Sequence, residues 1–317
     1  MSESQSHDHA GHDHGAGGHS HAGHSHAPTS FGRAFLIGTI LNIGFVAIEA
    51  GYGIAANSVA LLADAGHNLS DVLGLLVAWG AATLSKRRPT ANYTYGLRRS
   101  SILAALFNAV FLLIAIGAIA YEALGRIAVP QPVEGITVII VASVGIVING
   151  ITAWLFASGR KGDINIRGAY LHMAADAAVS AGVVVGGLVI LYTGWLWIDP
   201  VISLVIVAVI LVGTWGLLRD SVAMSLDRVP TGIAPEKVGR ALEALPGVSR
   251  VHDLHIWSMS TTEVALTAHL VMPTGVPGDG FFQSTSKMLR DQFAIGHATI
   301  QVERDQEACE LEPDHVV

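Results

Sequence analysis

The chain has 317 residues, of which 51% are hydrophobic and only 14% are charged, and its mean hydropathy is +0.51. Soluble domains typically carry about 25% charged residues, so this composition excludes a fully soluble protein, a disordered chain and a secreted disulfide scaffold. Cys309 cannot form an intramolecular disulfide because the chain has no second cysteine. A net charge of −7 argues against nucleic acid as a partner.

Residues 1–30 form a histidine-rich segment whose other residues are mostly Gly, Ser, Asp and Ala. Such a segment cannot bury enough apolar surface to order itself, so we predict a disordered cytoplasmic tail. Histidine-rich tracts are typical of metal binding, although a passive solvated tail remains an alternative. The candidate ligands in this tail are His7, His9, His12, His14, His19, His21, His24 and His26.

Residues 31–220 are predicted to form a transmembrane domain of six helices. The apolar stretches are close to the roughly 20 residues that a bilayer core requires, and an open chain satisfies its backbone groups in lipid only as a helix. We expect the helices at about 33–55, 59–84, 101–124, 136–158, 168–192 and 199–218.

The charges of the loops predict the orientation of these helices. Of the basic residues in the five loops that join the stretches, all but Arg126 lie between the second and third or between the fourth and fifth stretches. By the positive-inside rule these loops face the cytoplasm, so both termini are predicted to be cytoplasmic as well. The compact loops favour a bacterial inner membrane. The basic residues of the two loops are Lys86, Arg87, Arg88, Arg98 and Arg99, and Arg160, Lys161 and Arg167.

Residues 221–308 are predicted to form a small cytoplasmic α+β domain, followed by a disordered C-terminus at 309–317. Pro235 marks the start of a helix, and strands are expected at about 249–259 and 262–272. A second helix contains Leu289 and Phe293. The last strand alternates Ala298, Ile300 and Val302 with polar residues.

Two matching motifs lie inside the second and fifth helices. His67 and Asp71 are four residues apart, as are His172 and Asp176, so each pair shares a helix face. The two helices cross in opposite directions, and both pairs fall near the middle of the membrane. An ionisable group at that depth costs about 2.5–3.5 kcal/mol and by default indicates function. Two imidazoles and two carboxylates suit tetrahedral Zn²⁺.

The alternative for these residues is that they form hydrogen bonds between helices, as isolated polar residues in membranes often do. Three further polar residues are candidates for an ion pathway through the helices, although helix packing explains Asn42 equally well. Asp64 lies one turn before His67 on the same face, and Asn42 and Glu49 share a face of the first helix.

At these residues the chain resembles the cation diffusion facilitator family, in its cobalt–zinc–cadmium efflux subgroup. The resemblance covers nearly the whole chain. It rests on DAGHNLSD (64–71), YTYGLRRSSILAALFNA (93–109), HMAAD (172–176), VHDLHIWSM (251–259) and HATIQVE (297–303).

This resemblance implies a homodimeric exporter that exchanges cytosolic Zn²⁺ for protons, with a transport site at His67, Asp71, His172 and Asp176. Histidine at the first of these positions is the form that the family associates with preference for zinc over cadmium. Some relatives carry a second metal site in the loop between the second and third helices. Here the loop KRRPTANYTYGLRR contains neither His nor Asp, so no metal is expected there.

The resemblance also implies that the cytoplasmic domain is a ferredoxin-like dimerisation module that often binds zinc as a regulatory ligand. The candidate ligands are His252, His269, His297 and Glu303, with His255 and Cys309 weaker. Histidines that face outward from strands suit a metal site, but solvated surface histidines are an equally common explanation.

We therefore expect no enzyme but a secondary active transporter that exports Zn²⁺, and Co²⁺ and Cd²⁺ as further candidates, by alternating access. No Walker A motif is present, so ATP is not the expected driver. An intramembrane metalloenzyme is disfavoured because four protein ligands leave no open coordination position and the H-E-x-x-H motif is absent. A metal-responsive membrane sensor that does not transport metal is the main alternative.

Overall fold

The computed structural model describes residues 33–84, 87–157, 164–275 and 277–304. The histidine-rich tail and Cys309 lie outside these described residues. The helices are α1 (Arg33–Ala55), α2 (Val59–Leu84), α3 (Ser100–Ala128), α4 (Gly135–Ala157), α5 (Ile164–Thr193), α6 (Ile198–Ser225), α7 (Pro235–Glu243) and α8 (Asp279–Phe293). The strands are β1 (Arg250–Ser258), β2 (Val264–Val271) and β3 (Ile295–Glu303).

All six predicted apolar stretches fold as helices, and they form a bundle. α4 packs extensively against α5, α3 packs against α6, and α2 contacts α1, α3, α5 and α6. The centre of the bundle is filled by side chains such as Leu61, Leu112 and Val138. Large apolar side chains also point outward, and Trp154 and Val212 are 74% and 77% exposed. An apolar outer surface of this kind is suited to lipid.

Among the described residues, four helices are both long and apolar enough to cross a membrane: α3, α4, α5 from Met173 and α6. Their mean hydropathies lie between 2.0 and 2.7. The protein is therefore a multi-pass membrane protein.

One buried carboxylate fixes the start of α2. Asp199, in the first turn of α6, accepts hydrogen bonds from the Val59 amide at 2.8 Å, from the Ala60 amide at 3.4 Å and from the Ser58 hydroxyl. The first amides of a helix have no partner within the helix, and the helix dipole favours an anion at this end. Asp199 thus caps α2 from a distant part of the chain and joins α2 to α6.

The C-terminal domain places two helices against a three-stranded sheet of order β1-β2-β3. β1 and β2 are antiparallel, and β2 and β3 are parallel. Its core includes Val238 of α7, Leu266 and Leu270 of β2, and Leu289 of α8. The two predicted helices, the hairpin and the last strand are confirmed.

Polar contacts connect this domain to the start of α3. Arg98 forms an ion pair with Glu263 at 2.9 Å, and the Thr261 amide donates to the Ser101 hydroxyl at 3.1 Å. Arg99 forms a second ion pair, with Asp227. The basic residues before α3 therefore bind the β1–β2 turn and the segment after α6.

Candidate metal sites

The first candidate site lies between α2 and α5. His67, Asp71 and Asp176 each offer one ligand atom, and these atoms all lie within 4.8 Å of one another. His67 Nε2 is 3.1 Å from Asp176 Oδ1. Asp176 is buried, with 1% of its surface exposed, and the other two are partly buried. We call these three residues the transport cluster.

The geometry of the transport cluster suits a small divalent cation. Two ligand atoms that each lie about 2.1 Å from one tetrahedral Zn²⁺ are about 3.4 Å apart, close to the observed spacing of His67 and Asp176. The i,i+4 spacing on α2 puts His67 and Asp71 on the face that meets α5. His172 belongs to α5, one turn before Asp176, and its side chain lies outside the described part of the structure.

A second group of polar side chains lies next to the transport cluster. Asn68 Nδ2 donates to Glu49 Oε2 at 3.0 Å, and the Ser180 hydroxyl donates to Asp64 Oδ2 at 2.9 Å. All four residues are buried, and Glu49, Asp64 and Ser180 are completely so. Glu49 and Asp64, two of the predicted pathway residues, therefore belong to the same group of buried polar side chains. The third, Asn42, is half-buried on α1.

The second candidate site lies on the sheet of the C-terminal domain. His252 of β1 and His269 of β2 are cross-strand partners, and their rings meet edge to face with centroids 5.2 Å apart. Glu303 of β3 lies against both, with Oε2 3.2 Å from His252 Nε2 and Oε1 3.0 Å from His269 Nδ1. We call these three residues the sheet cluster, whose donor atoms again fall within 4.8 Å of one another.

Burial favours the neutral form of His252 in the sheet cluster, which is the form that can bind metal. His252 and His269 are only 7% and 8% exposed, so they are not solvated surface histidines. Desolvation lowers the pKa of His252, and the neighbouring His269 acts in the same direction, while Glu303 opposes it. A lowered pKa keeps His252 neutral near pH 7, and neutral imidazole is the form that coordinates metal.

Two other candidates among the described residues, His297 and His255, are not members of the sheet cluster. His297 is exposed on β3, and its ring contacts Tyr95 with centroids 5.6 Å apart. His255 is bound to Asp253 at 2.7 Å and has 41% of its side chain exposed. The structure therefore brings together three of the four main candidate ligands and leaves His297 outside.

Sequence reasoning missed Asp253, which contacts two of the histidines. Its Oδ2 lies 3.3 Å from His269 Nε2. Regular alternation would turn Asp253 away from His252, but β1 is irregular between His252 and His255, and Asp253 has a positive φ of 48°. A bulge of this type redirects a side chain. A non-glycine residue with a left-handed backbone is uncommon. Nothing in the sequence of β1 indicated that Asp253 would adopt this conformation.

The apolar helices define a membrane protein, and the acid–histidine cluster within them offers ligands for a metal cation. Comparison with known proteins supports this class. Residues 35–224 match the family described as the cation efflux transmembrane domain, and residues 230–305 match the cation efflux protein, cytoplasmic domain. The chain belongs to the cation efflux family, a family of membrane transporters, and it functions in metal cation efflux.

Several relatives align along most of their length. The chain is 37% identical to the metal cation efflux system protein CzcD of Cupriavidus metallidurans, over 96% of this chain and 90% of that protein. It is 34% identical to the cadmium, cobalt and zinc/H(+)-K(+) antiporter of Bacillus subtilis, over 86% of this chain and 89% of that protein. It is 35% identical to the zinc transporter ZitB of Escherichia coli, over 86% of this chain and 87% of that protein.

A solved structure is also similar to part of the chain. It is the metal-bound C-terminal domain of the CzcD transporter from C. metallidurans, 38% identical, with a TM-score of 0.21 over 22% of this chain and 99% of that one.

Proposed function

We propose that the protein exports Zn²⁺ from the cytoplasm in exchange for protons, by alternating access through six membrane-spanning helices. The observation that carries this proposal is the transport cluster, where His67, Asp71 and Asp176 approach one another between α2 and α5. We assign His172 as the fourth ligand because it precedes Asp176 by one helical turn. Relatives named as zinc transporters and as a zinc/H(+)-K(+) antiporter support the choice of cargo and exchange, with Co²⁺ and Cd²⁺ as further cargo.

The chemistry of the ligands explains how one site serves both ions. Zn²⁺ binds deprotonated carboxylate and neutral imidazole, so zinc binding releases protons and protonation releases zinc. The ordinary pKa of histidine, about 6.5, lies close to physiological pH, so modest pH differences change its charge. Zinc enters from the cytoplasm with these ligands deprotonated, and protons from the opposite side displace it.

A role in zinc export also assigns the orientation of the chain in the membrane and the tasks of its cytoplasmic parts. The basic loop before α3 faces the cytoplasm with the C-terminal domain, which it contacts through Arg98 and Glu263. Both termini are then cytoplasmic, and the membrane is a bacterial inner membrane. The C-terminal domain is ferredoxin-like, mediates a homodimer, and binds regulatory zinc at its sheet cluster. The histidine-rich tail raises the local concentration of metal near the entrance.

Zinc transport into everted membrane vesicles tests this proposal. Vesicles with the unaltered chain should accumulate Zn²⁺ when acidified inside and should lose protons as zinc enters. Asp176→Ala should abolish both fluxes because it removes a buried ligand. Asp291→Asn, an exposed substitution on α8, is the matched control and should transport normally.

Two results would contradict the proposal. Undiminished exchange in Asp176→Ala would remove the transport cluster from the pathway. Failure of the unaltered chain to accumulate zinc, with zinc still bound, would favour a metal-responsive sensor.

A further inference from the structure

Two carboxyl groups are buried in the bundle on α1 and α2, which pack against each other. Glu49 of α1 and Asp64 of α2 are both 0% exposed. Asn68 and Ser180 each donate to one oxygen of one carboxyl group. The remaining oxygens, Glu49 Oε1 and Asp64 Oδ1, have no hydrogen-bond donor in the part of the chain that the structure describes. We call Glu49 and Asp64 the carboxyl pair.

Asp64 and Asn68 are four residues apart on α2 and share a helix face, and Asn68 binds Glu49, so both carboxyl groups lie against the same face of α2. Two ionised carboxylates cannot form a hydrogen bond, since both only accept. Like charges close together in a low-dielectric interior also repel strongly, and a proton on one of the two groups would relieve that repulsion. A single proton between Glu49 and Asp64 satisfies both orphaned oxygens and removes one of the two buried charges.

Among the described residues, two other ionisable groups lie near Asp64. His67, on the same helix, offsets the negative charge of the pair when it is protonated, and Asp176 of α5 adds a further carboxylate. α4 contains no charged residue, and those of α3 and α6 lie toward the helix ends. The backbone of Gly145 of α4 packs closely against Ser180, which binds Asp64. A Cβ at this glycine would lie 3.0 Å from Phe45 and 3.1 Å from the Ser180 hydroxyl.

The carboxyl pair is close to the transport cluster along two helices. Asp64 precedes His67 by one turn of α2, and Ser180 follows Asp176 by one turn of α5. A divalent cation in the transport cluster would therefore act on the pair through a medium that screens charge poorly. Its positive charge favours the ionised form of a nearby acid.

We propose that Glu49 and Asp64 hold one exchangeable proton, separate from the metal ligands, which leaves when Zn²⁺ binds and returns when Zn²⁺ departs. This inference rests on the proposed zinc/proton exchange and deepens it, because it assigns one of the exchanged protons to residues that do not ligate metal. In the step, the O–H bond shared by the two carboxyl groups breaks, the proton passes to water, and both groups become carboxylates. Zinc keeps its oxidation state.

The number of protons released per bound zinc tests this assignment. Titration calorimetry of the purified full-length protein with ZnCl₂, in buffers of different ionisation enthalpy, gives that number. Glu49→Gln should bind zinc but release one proton fewer per zinc ion than the unaltered chain. The glutamine amide can still accept from Asn68 and can donate to Asp64 Oδ1, so it replaces the proton. Glu122→Gln, on the exposed end of α3, is the matched control and should release the full number.

A second measurement follows the proton directly. Infrared difference spectra of the unaltered protein should show loss of a protonated carboxyl carbonyl band when zinc is added, and that band should be absent from Asp64→Asn. Equal proton release by the unaltered chain and Glu49→Gln, or a carboxyl band that zinc leaves unchanged, would overturn the proposal. These results leave zinc/proton exchange intact, whereas unaltered zinc binding and proton release in Asp176→Ala would instead overturn the proposed function.

Discussion

Removal of the Asp199 carboxylate should destabilise the transmembrane bundle more than any surface substitution. Asp199 is 2% exposed and accepts from the Ser58 hydroxyl and the amides of Val59 and Ala60. In Asp199→Ala the Ser58 hydroxyl and the Val59 amide lose a buried acceptor. Each orphaned buried donor costs about 1–3 kcal/mol, so for these two donors we expect a loss of about 2–6 kcal/mol in the free energy of unfolding.

Reversible unfolding in mixed detergent micelles provides the assay. Asp199→Asn should cost about 1–3 kcal/mol because it keeps one acceptor oxygen but turns an NH₂ group toward a helix amide. Ser203→Ala is the control on the same helix, since the buried Ser203 hydroxyl makes no hydrogen bond within the described region. If Asp199→Ala destabilises no more than Ser203→Ala, the long-range cap contributes nothing and this reasoning is wrong.

Three further predictions concern the C-terminal domain. With the transport cluster disabled, His269→Ala should lower the zinc content measured by elemental analysis, whereas His297→Ala should leave it unchanged. A double-mutant cycle on Arg98 and Glu263 should give only about 0.2–1 kcal/mol, since both side chains are more than one-third exposed. Because burial lowers the pKa of His252, its contribution to stability is present above pH of about 6.5 and declines as the pH falls toward the lowered value. Unfolding without metal should show that decline, and His252→Gln should abolish it.

The helices were the most predictable part of the fold. Their apolar stretches are long and bounded by polar loops, so the ends of α1 and α2 agree with prediction. The C-terminal strands followed from alternation, as at Ala298 and Ile300. The ionisable residues of α2 and α5 were recognisable because charge inside an apolar helix is costly.

The contacts that support the sites were not predictable in the same way. Asp199 caps a helix that begins 140 positions earlier, and Ser180 reaches Asp64 across 116 positions. Such contacts depend on how the helices pack, which hydrophobic periodicity does not determine. The backbone irregularity at Asp253 also breaks the alternation on which strand predictions depend.

The zinc content of the purified full-length protein tests the central claim most directly. In a His269→Ala background, which disables the sheet cluster, the chain should retain one tightly bound zinc per protomer. Adding Asp71→Ala or Asp176→Ala should remove that zinc, because each substitution deletes one carboxylate of the transport cluster. An unchanged zinc content in both variants would contradict the proposed site between α2 and α5.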